Sequence, residues 1–245
     1  MSDSEWRRFL NFMTPETRLN NTLPLLLHIA TTVTGLIDAI SYLALGHVFT
    51  ANMTGNVVFL AFAVAGVPGL SLMRSLTALV AFLIGALIGG RLATRPSEFV
   101  RLNWVTIALT METALLLVAT LAAVNFRDSS QSLLQSYLII VLTAVAMGIR
   151  NATVRKMGIP DFTTTVLTLT ITGLAADSTL AGGTSPRWRR RLLAVVLMFF
   201  GAAIGTLLLR RSLVLPLATA TLLSVCCVAI SLKRSLLSRN KSLEC

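Results

Sequence analysis

Asp38 is the one acidic residue of a long apolar run, Leu23 to Leu45. It falls about four residues past the middle of that run, roughly 6 Å from a bilayer midplane at about 1.5 Å of rise per residue. A carboxylate at that depth costs about 2.5 to 3.5 kcal/mol on insertion scales, so it demands a reason. The chemistry on offer is proton or sodium coupling, a counter-ion for a cationic substrate group, or one half of a structural ion pair with Arg150. Asn52, Thr54, Gly55 and Asn56 form a second candidate group at the mouth of the next apolar run. Amide and hydroxyl side chains beside a glycine can ligate a solute that approaches the backbone closely. The same residue types also serve plain hydrogen bonding between membrane helices.

Arg150 and Asn151 end a short apolar stretch from Tyr137 to Ile149. If the helix continues through them, Arg150 faces the bundle interior, where it binds an anion or neutralises Asp38; otherwise it snorkels to the membrane surface. A threonine-rich run, Thr163, Thr164, Thr165, Thr168, Thr170 and Thr172, mirrors the Asn52–Asn56 group, with Thr164 as its representative in a candidate site. Its bland alternative is threonine hydroxyls satisfying their own helix backbone. Glu112 and Asp177 are further candidates by virtue of position, with a structural hydrogen bond the plainer role for Glu112. Two histidines and three cysteines supply neither a nucleophile with its base nor a metal-ligand set, so no enzyme, cofactor or metal is expected.

These residues are carried by apolar segments near 23–45, 53–72, 75–94, 104–124, 133–149, 162–180, 192–209 and 213–232. The first four match the last four. Gly35-Leu-Ile-Asp38-Ala39 aligns with Gly148-Ile-Arg-Asn151-Ala152, Phe49-Thr50 with Phe162-Thr163, Met53-Thr54 with Leu167-Thr168 after a one-residue slip, and Gly85-Ala-Leu-Ile-Gly89 with Gly201-Ala-Ala-Ile-Gly205. The chain is therefore read as a 1–22 interfacial segment, a membrane repeat at 23–125, a second at 126–232 and a basic tail at 233–245. Trp6 to Met13, with aromatics beside two arginines, suits a short interfacial helix on an anionic leaflet. The run that follows exceeds a signal-peptide core and is expected to stay as a membrane helix.

Charge discriminates between topologies. Lys and Arg concentrate in cytoplasmic loops. Eight crossings put 13 basic residues inside and 8 outside; six crossings, with 53–72 and 162–180 re-entering on their own side, put 17 inside and 4 outside. Crossing by the later segment alone gives 11 against 10. Six spans mean three per repeat, and an odd number inverts the second half relative to the first. The expected fold is an all-α polytopic bundle of two inverted repeats, about six spanning helices and two interrupted segments. Both termini then lie on the cytoplasmic side.

Composition agrees: 55% hydrophobic and 13% charged residues over 245 positions leave no room for a large soluble enzyme module beside the spans. The net charge of +11 sits between apolar runs, which argues against a nucleic-acid partner and for a lipid bilayer. Gly35-Leu-Ile-Asp-Ala-Ile-Ser-Tyr-Leu43, Val48-Phe-Thr-Ala-Asn-Met-Thr-Gly-Asn56, Gly148-Ile-Arg-Asn-Ala152, Pro160-Asp161 and Val166 to Asp177 resemble the YoaK-like family of small bacterial membrane proteins, over roughly residues 25 to 230. That family is a domain of unknown function, so the resemblance implies a bacterial inner-membrane protein and brings no substrate or site residues. From the residues themselves, the leading expectation is a small secondary transporter or permease. Its solute or coupling ion would sit between the halves, against Asp38, Asn52, Thr54, Gly55, Asn56, Arg150, Asn151 and Thr164. The alternative is a non-transporting interaction or assembly protein whose polar core only fixes the fold. A homo-oligomer is compatible with either.

Overall fold

A computed structural model describes residues 15–94, 103–124, 132–158, 167–185 and 187–243. The Trp6–Met13 segment and Thr164 lie outside the described residues. The described chain is helical: α1 Pro15–Ala44, α2 Met53–Val64, α3 Leu72–Thr94, α4 Asn103–Val124, α5 Ser132–Met157, α6 Leu167–Ala176, a 3-10 turn at Thr179–Ala181, α7 Trp188–Leu209 and α8 Val214–Leu243. Helix α1 begins before the apolar run that the sequence marks, and α8 continues beyond it into the basic tail. Six helices are long and apolar enough to cross a bilayer: Pro24–Ala44, Leu72–Thr94, Trp104–Val124, Leu133–Met157, Trp188–Leu209 and Val214–Ser235.

The two remaining helices are short. α2 has 12 residues and α6 has 10, or about 18 and 15 Å at the helical rise, against a hydrocarbon core of about 30 Å. Glycines at positive φ follow each of them. Gly66 (φ 80) and Gly69 (φ 83) flank Pro68 after α2, and Gly182 (φ 79) closes the 3-10 turn after α6. Such punctuation stops a helix that apolar composition alone would let run on.

Packing exchanges the halves symmetrically. α1 packs most closely on α7 and α3 on α5, two contacts that swap when the repeats swap; α4 on α5 likewise mirrors α1 on α8. The glycines show the register. A β-carbon at Gly35 would strike the Met198 carbonyl and the backbone at Gly201 and Ala202, while one at Gly148 would strike the Phe82 carbonyl and the backbone at Gly85 and Ala86. Conversely, Gly201 rests on Thr32 and Gly85 on Val145, and Gly205 and Gly89 each meet the next turn of the same partners. Small residues let backbones touch where lipid supplies no hydrophobic drive. Burial follows the same symmetry, since the spans of α1 and α5 are 72% and 56% inside, whereas those of α3 and α7 are 22% and 17%.

Direction decides between parallel and inverted halves. α4 and α8 hold matching places, yet Thr106 early in α4 shares a hydrogen bond with Ser231 late in α8 (2.7 Å), and Thr120 late in α4 with Thr221 early in α8 (3.0 Å). They are antiparallel. Repeats related by an axis along the membrane normal would set them parallel, so the three-span halves are inverted.

Candidate functional site

Two polar clusters lie along one face of α1. Thr31, Thr34, Asp38 and Ser41 recur at helical spacing and are all buried. Toward the α1 C-terminus, the segment 45–52 folds back over Asp38. The Ala51 amide donates to Asp38 Oδ1 (3.2 Å) and the Asn52 side-chain amide donates to Oδ2. Asn56, in the first turn of α2, holds the same segment from the other side: its carbonyl oxygen accepts from the Phe49 amide (2.8 Å) and its amide donates to the Phe49 carbonyl. One buried asparagine thus satisfies both backbone groups of a residue outside any helix, which backbone at membrane depth requires. Tyr42, Phe49 and Phe59 stack over the fold, with ring centroids 5.3 to 6.0 Å apart. What approaches Gly55 is the Phe49 ring, which an added β-carbon would meet at 2.7 Å. Thr54 beside it is exposed.

The second cluster sits one turn and more below. Helix α5 does continue through Arg150, and the side chain is buried, with 3% of its surface exposed. Its partner is Glu112. Arg150 Nε donates to Glu112 Oε2 (2.9 Å) and Nη2 to Oε1, a two-pronged guanidinium–carboxylate pair. Nη1 donates to the Ala30 carbonyl (2.8 Å), with Thr34 Oγ1 at 3.4 Å, and the Ser224 hydroxyl of α8 donates to Glu112 Oε1 (2.8 Å). Of the alternatives open for Asp38, the ion pair with Arg150 does not form, and Arg150 pairs with Glu112 instead. The reason is direction: Asp38 is turned into its own 45–52 segment, while Arg150 is turned toward the adjacent antiparallel helix α4. Thr34 stands between the two clusters, one turn from Asp38 on α1 and within reach of Arg150.

The pair borders a small cavity of about 30 Å³, lined by α1, α4 and α5 through Leu26, Leu27, Ala30, Leu109, Thr153 and Val154 among others. That is room for one or two water molecules. The remaining candidates have local roles. Asn151 donates to the Met147 carbonyl of its own helix (2.8 Å). Asp177 accepts from Arg191 at the start of α7 (2.6 Å), whose Nη1 also donates to the Gly173 carbonyl and so ties α6 to α7. Buried threonines of α1 and α5 satisfy carbonyls one turn back, as Thr31 does at Leu27 (2.8 Å) and Thr153 at Ile149 (2.8 Å). Ser224 is the residue that sequence reading misses, since serine in an apolar span carries no signal of its own.

Fold and geometry together define a multi-pass helical membrane protein of two inverted repeats, meeting at a buried ion pair to which each half gives one member. The chain belongs to the family described as a protein of unknown function, DUF1275, which matches residues 26–230. It is similar to the UPF0700 transmembrane protein YoaK of Bacillus subtilis (strain 168), 36% identical over 143 residues, 58% of this chain and 61% of that protein. The similarity thus spans less than two thirds of that relative's length. No solved structure matches the chain.

Proposed function

We propose that the protein is a small secondary transporter or permease of the bacterial inner membrane, binding its solute near the midplane where the inverted halves meet. The observation that carries this reading is the junction of α1, α4, α5 and α8. There Glu112 of the first half and Arg150 of the second are buried against each other beside a cavity. A buried ion pair contributes little net stability over well-packed apolar residues, and intramembrane charges between inverted repeats are the usual place for a solute or ion to bind. Asp38 with Asn52, Thr54, Gly55 and Asn56 then closes the end of the bundle beyond the junction, where a coupling ion would act. In this reading Asn151 lies on the second half's side of the path. The chain works as a carrier rather than an enzyme, with both termini cytoplasmic, as the bias of basic residues supports. The test is flux. Purified protein in liposomes, offered a panel of labelled metabolites, should move at least one faster than protein-free liposomes, and Arg150→Gln should remove that flux. No movement across the panel would favour the interaction or assembly protein.

A further inference from the structure

Among the described residues Arg150 and Arg191 are the buried cationic side chains, and Arg191 is held at the start of α7 by Gly173 and Asp177. Arg150 instead borders the cavity. Its Nε and Nη2 already grip the two oxygens of a carboxylate, that of Glu112. A ligand carboxylate can take that place in the same geometry without leaving the guanidinium unpaired. The cavity wall is otherwise apolar, with Leu26, Leu27, Ala108, Leu109, Val154 and Met157, and at about 30 Å³ it admits no more than a short tail. The Thr153 hydroxyl, the other polar side chain on that wall, already gives its proton to the Ile149 carbonyl. The wall exposes almost no polar surface, so an ammonium group would find few accessible acceptors there besides Glu112.

We propose that the ligand of this junction is a small monocarboxylate with a short apolar tail, bound together with one proton that Glu112 accepts. The proposal rests on the transport reading and adds the substrate class. As the ligand anion enters the Arg150 fork, Glu112 loses its counter-charge while still buried. An isolated carboxylate in that setting takes up a proton rather than stay charged. The proton leaves hydronium on the side of entry, breaking one of its O–H bonds and leaving water, and forms an O–H bond at a Glu112 carboxyl oxygen. One anion and one proton enter, and the junction is neutral before and after. The groups facing Glu112 are Arg150 from α5, the Ser224 hydroxyl from α8, and the Cys227 thiol of α8 within electrostatic reach of both charges. On α1, Thr34 lies beside Arg150, and the next carboxylate, Asp38, is closed off by Ala51 and Asn52. The neutral Glu112 donates to Ser224 Oγ or to the ligand itself.

Calorimetric titration of the full chain in detergent with propionate, repeated in buffers of different ionisation enthalpy, reads both affinity and protons taken up. The expected result is saturable binding with about one proton taken up per propionate. Alanine, which brings its own positive charge, should bind roughly tenfold more weakly or worse and without proton uptake. Arg150→Lys keeps the charge but loses the fork, and should lose propionate binding while the protein still elutes as a folded species. Absence of propionate binding, binding without proton uptake, or preference for alanine each overturns the proposal. If propionate fails while liposomes still move another solute, the carboxylate assignment falls and the transport reading stands; if liposomes move nothing, both fall.

Discussion

A guanidinium with 3% of its surface exposed and a carboxylate with 1% must answer each other, because so little of either reaches bulk solvent. Removing one member leaves the other charge buried and uncompensated, at about 3 to 5 kcal/mol in soluble counterparts. Arg150→Gln and Glu112→Gln should therefore each lower the melting temperature in detergent sharply. The double change should restore much of the loss, a coupling of about 0.5 to 3 kcal/mol. Asp38→Asn combined with Arg150→Gln should come much nearer to simple addition, since Asp38 is bound to Ala51 and Asn52 instead. Strong coupling of Asp38 to Arg150, with none for Glu112, would contradict the pairing found here. The sequence made Asp38, Glu112 and Arg150 visible, because a charge in an apolar run stands out by its cost. It did not make their pairing visible. Two carboxylates lie within reach of one arginine in a bundle of this size, and the choice depends on how α4 is rotated against α5. Spacing along the chain does not encode that rotation. Gly55 teaches the same lesson, since a missing side chain marks close approach without saying whether a ligand or Phe49 approaches.

Helices α1, α3, α5 and α7 are joined by paired glycine seams, and each seam runs between halves. The Gly-x-x-x-Gly patterns and the repeat were both legible from spacing. Which seam joined which was not, because Gly35 could face Gly85 within its own half or Gly201 across the axis without altering a single residue. The structure selects the exchange, so equivalent substitutions should have equivalent effects. Gly35→Leu and Gly148→Leu should each force apart one seam, α1 from α7 or α3 from α5, since the new side chain meets backbone atoms that cannot yield. Overpacking of this kind costs about 1 to 3 kcal/mol or more. Gly90→Leu, with nothing within 4 Å of an added β-carbon, is the matched control. Folded yield and melting temperature should fall together for the first two and stay near the parent for the third. The short helices α2 and α6 were legible as interrupted segments because polar residues stand at the mouth of each apolar run, Asn52 to Asn56 and Thr163 to Thr165, and because six crossings gather the basic residues on one side. Their lengths, 12 and 10 residues, required the structure.

For the whole molecule, the bias of basic residues already favoured six crossings, and the antiparallel pairing of α4 with α8 gives the inversion a geometric basis. If the halves are inverted, the loops that follow α2 and α6 face opposite sides of the membrane despite their matching places in the repeats. Ala65 and Thr184 are exposed positions in these two loops. In a background lacking native cysteines, Ala65→Cys should react readily with an impermeant thiol reagent added to spheroplasts, and Thr184→Cys only after permeabilisation. The same accessibility at both positions, whether open or protected, would mean that the halves are parallel, and with them the junction at Arg150 and Glu112 would lose its two-sided character.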